Sequence, residues 1–179
     1  MGHRDLITPR QRQALADVLS GCLLSELLAP SEPLWLVSAW VSDIEAIDNA
    51  GGAFEALAPD WPRGPIRLST VLARIVELGG SIFVGMNNDV HNESFIERLK
   101  SIHRFAPLRV RWAVAEQLHQ KCLCGSRFAL RGSMNVTWNG LNAKEEQMTL
   151  TTTLADVQRL RLELNDRWFN AAETFGGGA

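Results

Sequence analysis

The stretch "LHQKCLCGSRFALRGSMNVTWNG", residues 118–140, decides the fold. It holds two short β-forming segments, "LHQKCLCG" and "FALRG", parted by the turn-forming Gly125-Ser126. Side chains alternate across a strand, so His119 and Lys121 share one face while Cys122 and Cys124 take the other. In the second segment Phe128 and Leu130 point inward as core. Beyond Gly132, Ser133 and Asn135 again share a face. "EQMTLTTT" (146–153) follows with little room between, so the spacing predicts neighbouring strands of one sheet.

Upstream, "LWLVSAWV" (34–41), "SIFVGM" (81–86) and "LRVRWAVA" (108–115) are short apolar runs rich in β-formers, as buried strands are. Helical patterns lie between them. "STVLARIVELGG" has Ser69 or Thr70 as a cap and stops at Gly79-Gly80. "NESFIERLKSI" puts Phe95, Ile96, Leu99 and Ile102 on one face, with Asn92 as a candidate cap. An opening helix is predicted from "TPRQRQALADVLSGCLLSELLAP", with Thr8 as cap, Pro9 in the first position and Gln11 completing a capping box. A closing helix starts at a Thr153/Asp156 box, and residues 175–179 read as a frayed tail. Residues 42–67 are Gly/Pro-rich and acidic, and read as a long functional or mobile loop. Strand–helix alternation followed by a strand cluster and a covering helix predicts an α/β fold. It would be a mixed β-sheet flanked by helices, one domain over residues 1–179.

Composition narrows the function. The chain has 179 residues, 46% of them hydrophobic and 21% charged, which is globular and not disordered composition. No apolar run approaches the ~20 residues of a membrane-spanning helix. No secretory signal is visible at the start. Three cysteines cannot all pair within one chain, and reduced thiols in a cytoplasmic protein are expected. The net charge of −2 argues against an extended polyanion-coating surface but leaves room for a local basic cleft.

If the two segments at 118–135 pair, one small surface carries an imidazole, an ammonium, a hydroxyl and a carboxamide. That set suits a phosphate. Lysine supplies a point charge, serine and asparagine supply neutral donors, and histidine attacks phosphorus or passes protons. Lysine offsets the charge that a divalent ion would otherwise neutralise, so no metal or other cofactor is expected.

His119-x-Lys121 followed by Gly132-Ser133-x-Asn135-x-Thr137 resembles the HxK…GSxN motif of the phospholipase D superfamily. The resemblance extends over most of the chain to short, single-motif bacterial members. Among these it is similar to the type found in gene islands for deazapurine DNA modification and restriction (DpdK-like), to which "VSAWVSDIEAIDNAGGAF" adds. Members place a glutamate shortly after the asparagine to orient the histidine. Glu146 sits at that offset, with Glu145 as the alternative. Two features depart from the pattern: Ser126 stands where the family often has an aspartate, and the spacing to Gly132 is one residue short.

The resemblance implies two histidines per active site, one attacking phosphorus to form a phosphohistidine and the other protonating the leaving oxygen. This sequence carries one motif, so the second histidine would come from another protomer of a homodimer. The expected catalytic residues are His119, Lys121, Ser133, Asn135 and Glu146. Trp138, Thr137, Arg131 and Asp43 are the expected substrate contacts. The expected activity is that of a metal-independent phosphodiesterase, a nuclease acting on DNA, with other proteins of a defence system as further partners and no membrane. The alternatives are a catalytically silent dimeric module that binds DNA or a protein, and a hydrolase of phospholipids or small phosphodiesters.

Each of these residues also has a plainer reading. Ser133 can make only a turn bond beside Gly132, and Asp43 can be a plain loop residue. Cys122 and Cys124 lack the partners of a zinc site and read as buried hydrophobes. His3, His91 and His103 read as solvent-facing. Trp35, Trp112 and Trp168 fit the core, while Trp40 and Trp138 fit a cleft rim. Arg104, Arg109, Arg111, Arg127, Arg131 and Lys144 form either a phosphate-tracking groove or ordinary solvated strand faces.

Overall fold

A computed structural model describes residues 2–7, 11–142 and 145–169. In chain order its elements are β1 (His3–Ile7), α1 (Arg12–Leu28), β2 (Leu34–Val37), β3 (Glu45–Asp48), β4 (Pro65–Arg67), α2 (Leu68–Glu77) and β5 (Ile82–Asn87). Then follow α3 (Val90–Phe105), β6 (Val110–Ala115), β7 (Cys122–Cys124), β8 (Ala129–Gly132), α4 (Trp138–Asn142), β9 (Gln147–Thr151) and α5 (Leu154–Phe169). Seven strands form one sheet in the order β1-β9-β8-β7-β2-β5-β6. The β2–β5–β6 half is parallel and the rest antiparallel, so the expected mixed sheet flanked by helices is present. Parallel neighbours need crossovers, and α2 and α3 are part of these connections.

Strand alternation sorts the core into two layers. Leu36, Val84, Leu123, Leu130 and Met148 join residues of α1, α2 and α3 such as Leu23, Leu72 and Phe95. Trp35, Val37, Phe83, Cys122, Cys124 and Ala129 pack under Val157, Leu160, Leu164 and Trp168 of α5. Phe83 and Phe95 are fully buried, and truncating either to alanine would cost about 3–5 kcal/mol.

Several local expectations change. Residues 3–7 form an edge strand paired antiparallel with β9, unannounced because only Leu6 of the five faces the core. Within the expected loop 42–67, β3 and β4 make a small antiparallel sheet. The cap of α3 is Asp89, which accepts from His91 N at 2.8 Å. Asn92 is instead fully buried inside the helix, where it bonds Val41 N, Ala39 O and Asn87 O. His103 is half-buried, bonded to Val110 O and edge-on to Trp112. Gln11 caps no helix through its side chain; its Oε1 accepts from Ile7 N at 2.9 Å. Thr8, Pro9, Lys144 and the tail at 175–179 lie outside the described residues.

Candidate active site

His119 and Lys121 do not sit on a regular strand; they lie in the segment that leads into β7. The preceding residue anchors that segment: Leu118 is buried, and its N–H donates to Asn87 Oδ1 at the end of β5, at 2.7 Å. The pair therefore stands just beyond the carboxyl ends of the parallel strands, where open α/β sheets bind ligands. His119 is exposed and Lys121 half-buried, with Lys121 Nζ donating to His119 O at 2.9 Å.

The expected strand pairing forms. In register, Cys122 faces Arg131, and Gly132 N donates to Lys121 O at 3.2 Å. Gly132 can only be glycine here, because an added Cβ would collide with Gln147 O on β9. Ser133 comes next and bridges to the same strand. Its N–H donates to Gln147 O, its Oγ accepts from Gln147 N, and that hydroxyl donates to the Glu146 carboxylate. Glu146, not the exposed Glu145, is thus the carboxylate tied to the motif.

His119, Gln120, Lys121, Arg131, Ser133 and Glu163 line one cleft of ≈ 490 Å³. Neither Lys121 nor Arg131 belongs to any ion pair among the described residues. Asn135 is half-buried beside this cleft's motif strands, tied to the end of β2: its Oδ1 accepts from Ser38 Oγ and Trp40 N. Trp40 and Trp138 are both exposed near it.

Two expected contacts make helix caps. Asp43 accepts from Ser69 N and Oγ, both at 2.8 Å, and so caps α2 from a distance. It does not line the cleft. Thr137 is buried and its Oγ1 accepts from Gly140 N at 3.0 Å, capping α4. Cys122 and Cys124 face α5, and burial pushes both thiols up, Cys124 to about 11. Among the described residues no group of three or more His, Cys, Asp or Glu is placed to hold a metal.

Three contributors escaped the sequence. Glu163 and Arg167 fall on one edge of α5, with Arg167 donating to Gln120 Oε1 at 3.2 Å. Their spacing of four hints at a shared face, but nothing local says which strand end α5 crosses. The third is Glu26, fully buried on α1. Ser31 N and Oγ donate to its two oxygens, and Ser126 N donates to Ser31 Oγ. A Cβ on Gly125 would collide with Glu26 Oε1. The β7–β8 turn, with Ser126 where a family aspartate was expected, is therefore docked on a carboxylate supplied by α1. Arg127 adds two bonds to the same helix end, at Ser25 O and Ala29 O.

No family model matches the sequence, and no curated protein matches it. Solved structures do. NucT from Helicobacter pylori superposes with a TM-score of 0.57 at 10% identity, over 90% of this chain and 91% of NucT. Nuc from Salmonella typhimurium, a phospholipase D family member, gives 0.56 at 12% identity over 93% of both chains. TrmBL2, an archaeal chromatin protein with a novel mode of DNA binding, gives 0.53 at 9% identity; the match covers 95% of this chain but about half, 53%, of TrmBL2. Over nine-tenths of its length, then, the chain has the fold of the phospholipase D family member Nuc.

Proposed function

We propose that the chain is a phosphodiesterase that cleaves nucleic acid, with DNA as its substrate, through a phosphohistidine. The observation that carries this reading is the cleft that gathers His119, Lys121, Arg131 and Ser133, its two cations in no ion pair among the described residues. A ring nitrogen of His119 attacks phosphorus. The bond to the leaving oxygen breaks, and that oxygen takes a proton from His119 of a second protomer. Water, deprotonated by the same second imidazole, then attacks phosphorus and releases the first histidine. Lys121 and the Asn135 amide hold the equatorial oxygens, whose charge grows in the transition state. Glu146 orients the His119 ring. A homodimer with both histidines facing one cleft follows, because an in-line displacement needs a group on each side of phosphorus and this sequence offers one such histidine. Work within a DNA restriction system fits the motif's resemblance.

A second reading, a DNA-binding module without turnover, draws support from Ser126 in the place of the aspartate and from the shared fold of TrmBL2. Plasmid DNA incubated in EDTA with the wild type and with His119→Ala separates the two. Nicking that survives EDTA and disappears in the variant is the expected result. A strict need for Mg²⁺, or equal cleavage by His119→Ala, overturns the mechanism, and binding without cleavage selects the second reading.

A further inference from the structure

The motif names Asn135 but not what turns its carboxamide. Trp40 N lies 3.4 Å from Asn135 Oδ1. A backbone N–H can only donate, so the atom facing it is the carboxamide oxygen. Nδ2, with two protons, is then the free end, and it has no hydrogen-bond partner among the described residues. Beside it stands Ser38, the rung after β2, whose N–H donates to Gly85 O at 2.9 Å. Ser38 is fully buried, and its hydroxyl is fully engaged. It accepts from Val136 N at 3.1 Å and shares its own proton between Trp40 O at 2.8 Å and Asn135 Oδ1 at 3.3 Å. The same hydroxyl therefore touches the residue after Asn135, the carbonyl of the residue that faces it, and its side-chain oxygen. A hydroxyl buried at this depth is tolerated only because each of these bonds is made.

We propose that Ser38 is a positioning residue: it holds the Asn135 carboxamide oxygen against β2, so that Nδ2 presents its protons to a phosphoryl oxygen. This rests on the phosphodiesterase reading. It predicts that Ser38 acts through Asn135 and not beside it.

A double-mutant cycle tests that. Turnover of bis-4-nitrophenyl phosphate and affinity for tungstate are measured in the wild type, Ser38→Ala, Asn135→Ala and the double variant. Asn135→Ala should lower kcat on the order of a hundredfold, as loss of one oxyanion donor does. Ser38→Ala should lower kcat roughly tenfold with KM little changed, in line with supporting partners of metal ligands. The double variant should be no worse than Asn135→Ala alone, whereas additive losses would mark Ser38 as a packing residue and overturn the proposal. The Asn135 side-chain amide signals in a ¹⁵N spectrum, identified by their loss in Asn135→Ala, give a readout independent of turnover. They should shift in Ser38→Ala; unchanged signals overturn the proposal. In the wild type, tungstate that binds should shift them too, and binding without a shift overturns it even if Ser38→Ala fails to fold. A wild type that neither turns over nor binds tungstate removes the phosphodiesterase reading, while the Ser38→Ala signals still decide whether Ser38 orients Asn135.

Discussion

Two of the clefts among the described residues differ in charge, and the larger of the two is not the candidate site. The larger, of ≈ 600 Å³, runs along α2 and α3 and is lined by Arg74, Arg98 and Arg109. Each of those arginines is already neutralised: Arg74 by Glu77, Arg98 by Asp43, and Arg109 by Glu32. The smaller, around His119, holds Lys121 and Arg131, which meet no carboxylate in the ion pairs of the described residues. Volume therefore does not mark the site for an anion. A paired cation has already exchanged water for a carboxylate and gains little from a phosphate, whereas an unpaired one keeps its field for the ligand.

Substitutions in the two clefts should break or sharpen this contrast. The largest effect belongs to His119→Ala, which should abolish phosphodiester turnover with the thermal midpoint unchanged. Arg98→Ala, in the other cleft, should leave turnover intact and lower stability by under about 1 kcal/mol, as for exposed ion pairs. A comparable loss of turnover in Arg98→Ala would erase the distinction. Lys121→Ala ranks next, at about 3 kcal/mol of transition-state stabilisation if it acts as other preorganised donors do, read from kcat/KM. A smaller effect is expected of Arg131→Ala. It should weaken DNA binding and reduce the slope of log affinity against log salt by about 1, measured by fluorescence anisotropy across a salt series. Arg109→Ala should leave that slope alone.

The smallest effect tests the anchor of the β7–β8 turn. Burial pushes the Glu26 carboxyl above its ordinary value of 4.5, although Ser31, Arg127 and Arg161 pull it down. The folded state then holds the proton more tightly than the unfolded chain, so stability falls as pH rises from the ordinary value through the raised one, then levels off. Glu26→Gln should flatten that slope in a series of thermal midpoints. A slope identical in both proteins would mean that Glu26 does not titrate in this window.

Strand existence was legible wherever both faces are covered. The runs at β2, β5 and β6 are apolar at nearly every position, because parallel strands are packed on both sides. β1 escaped because it is an edge strand that buries one residue, so its local pattern carries almost no signal. The strand pairing that carries His119, Lys121, Ser133 and Asn135 together was legible from residue type and spacing. Asp43 and Thr137, expected as substrate contacts, make helix caps, and a cap uses the same side chains as a binding site. The difference lies in whether a distant N–H, such as Ser69 N for Asp43, happens to be within reach.

Sequence by itself determined the alternation that gives Cys122 and Cys124 one buried face, and the order of donors along one hairpin. Those depend on neighbours within a few residues. Tertiary structure alone decided the rest: that Ser38 meets Asn135 across 97 residues, that Glu26 reaches the Ser126 turn through Ser31, and that Glu163 lines the cleft. Such contacts arise from how whole elements pack, and a side chain's partner across the sheet is chosen by strand order. No local propensity encodes that order.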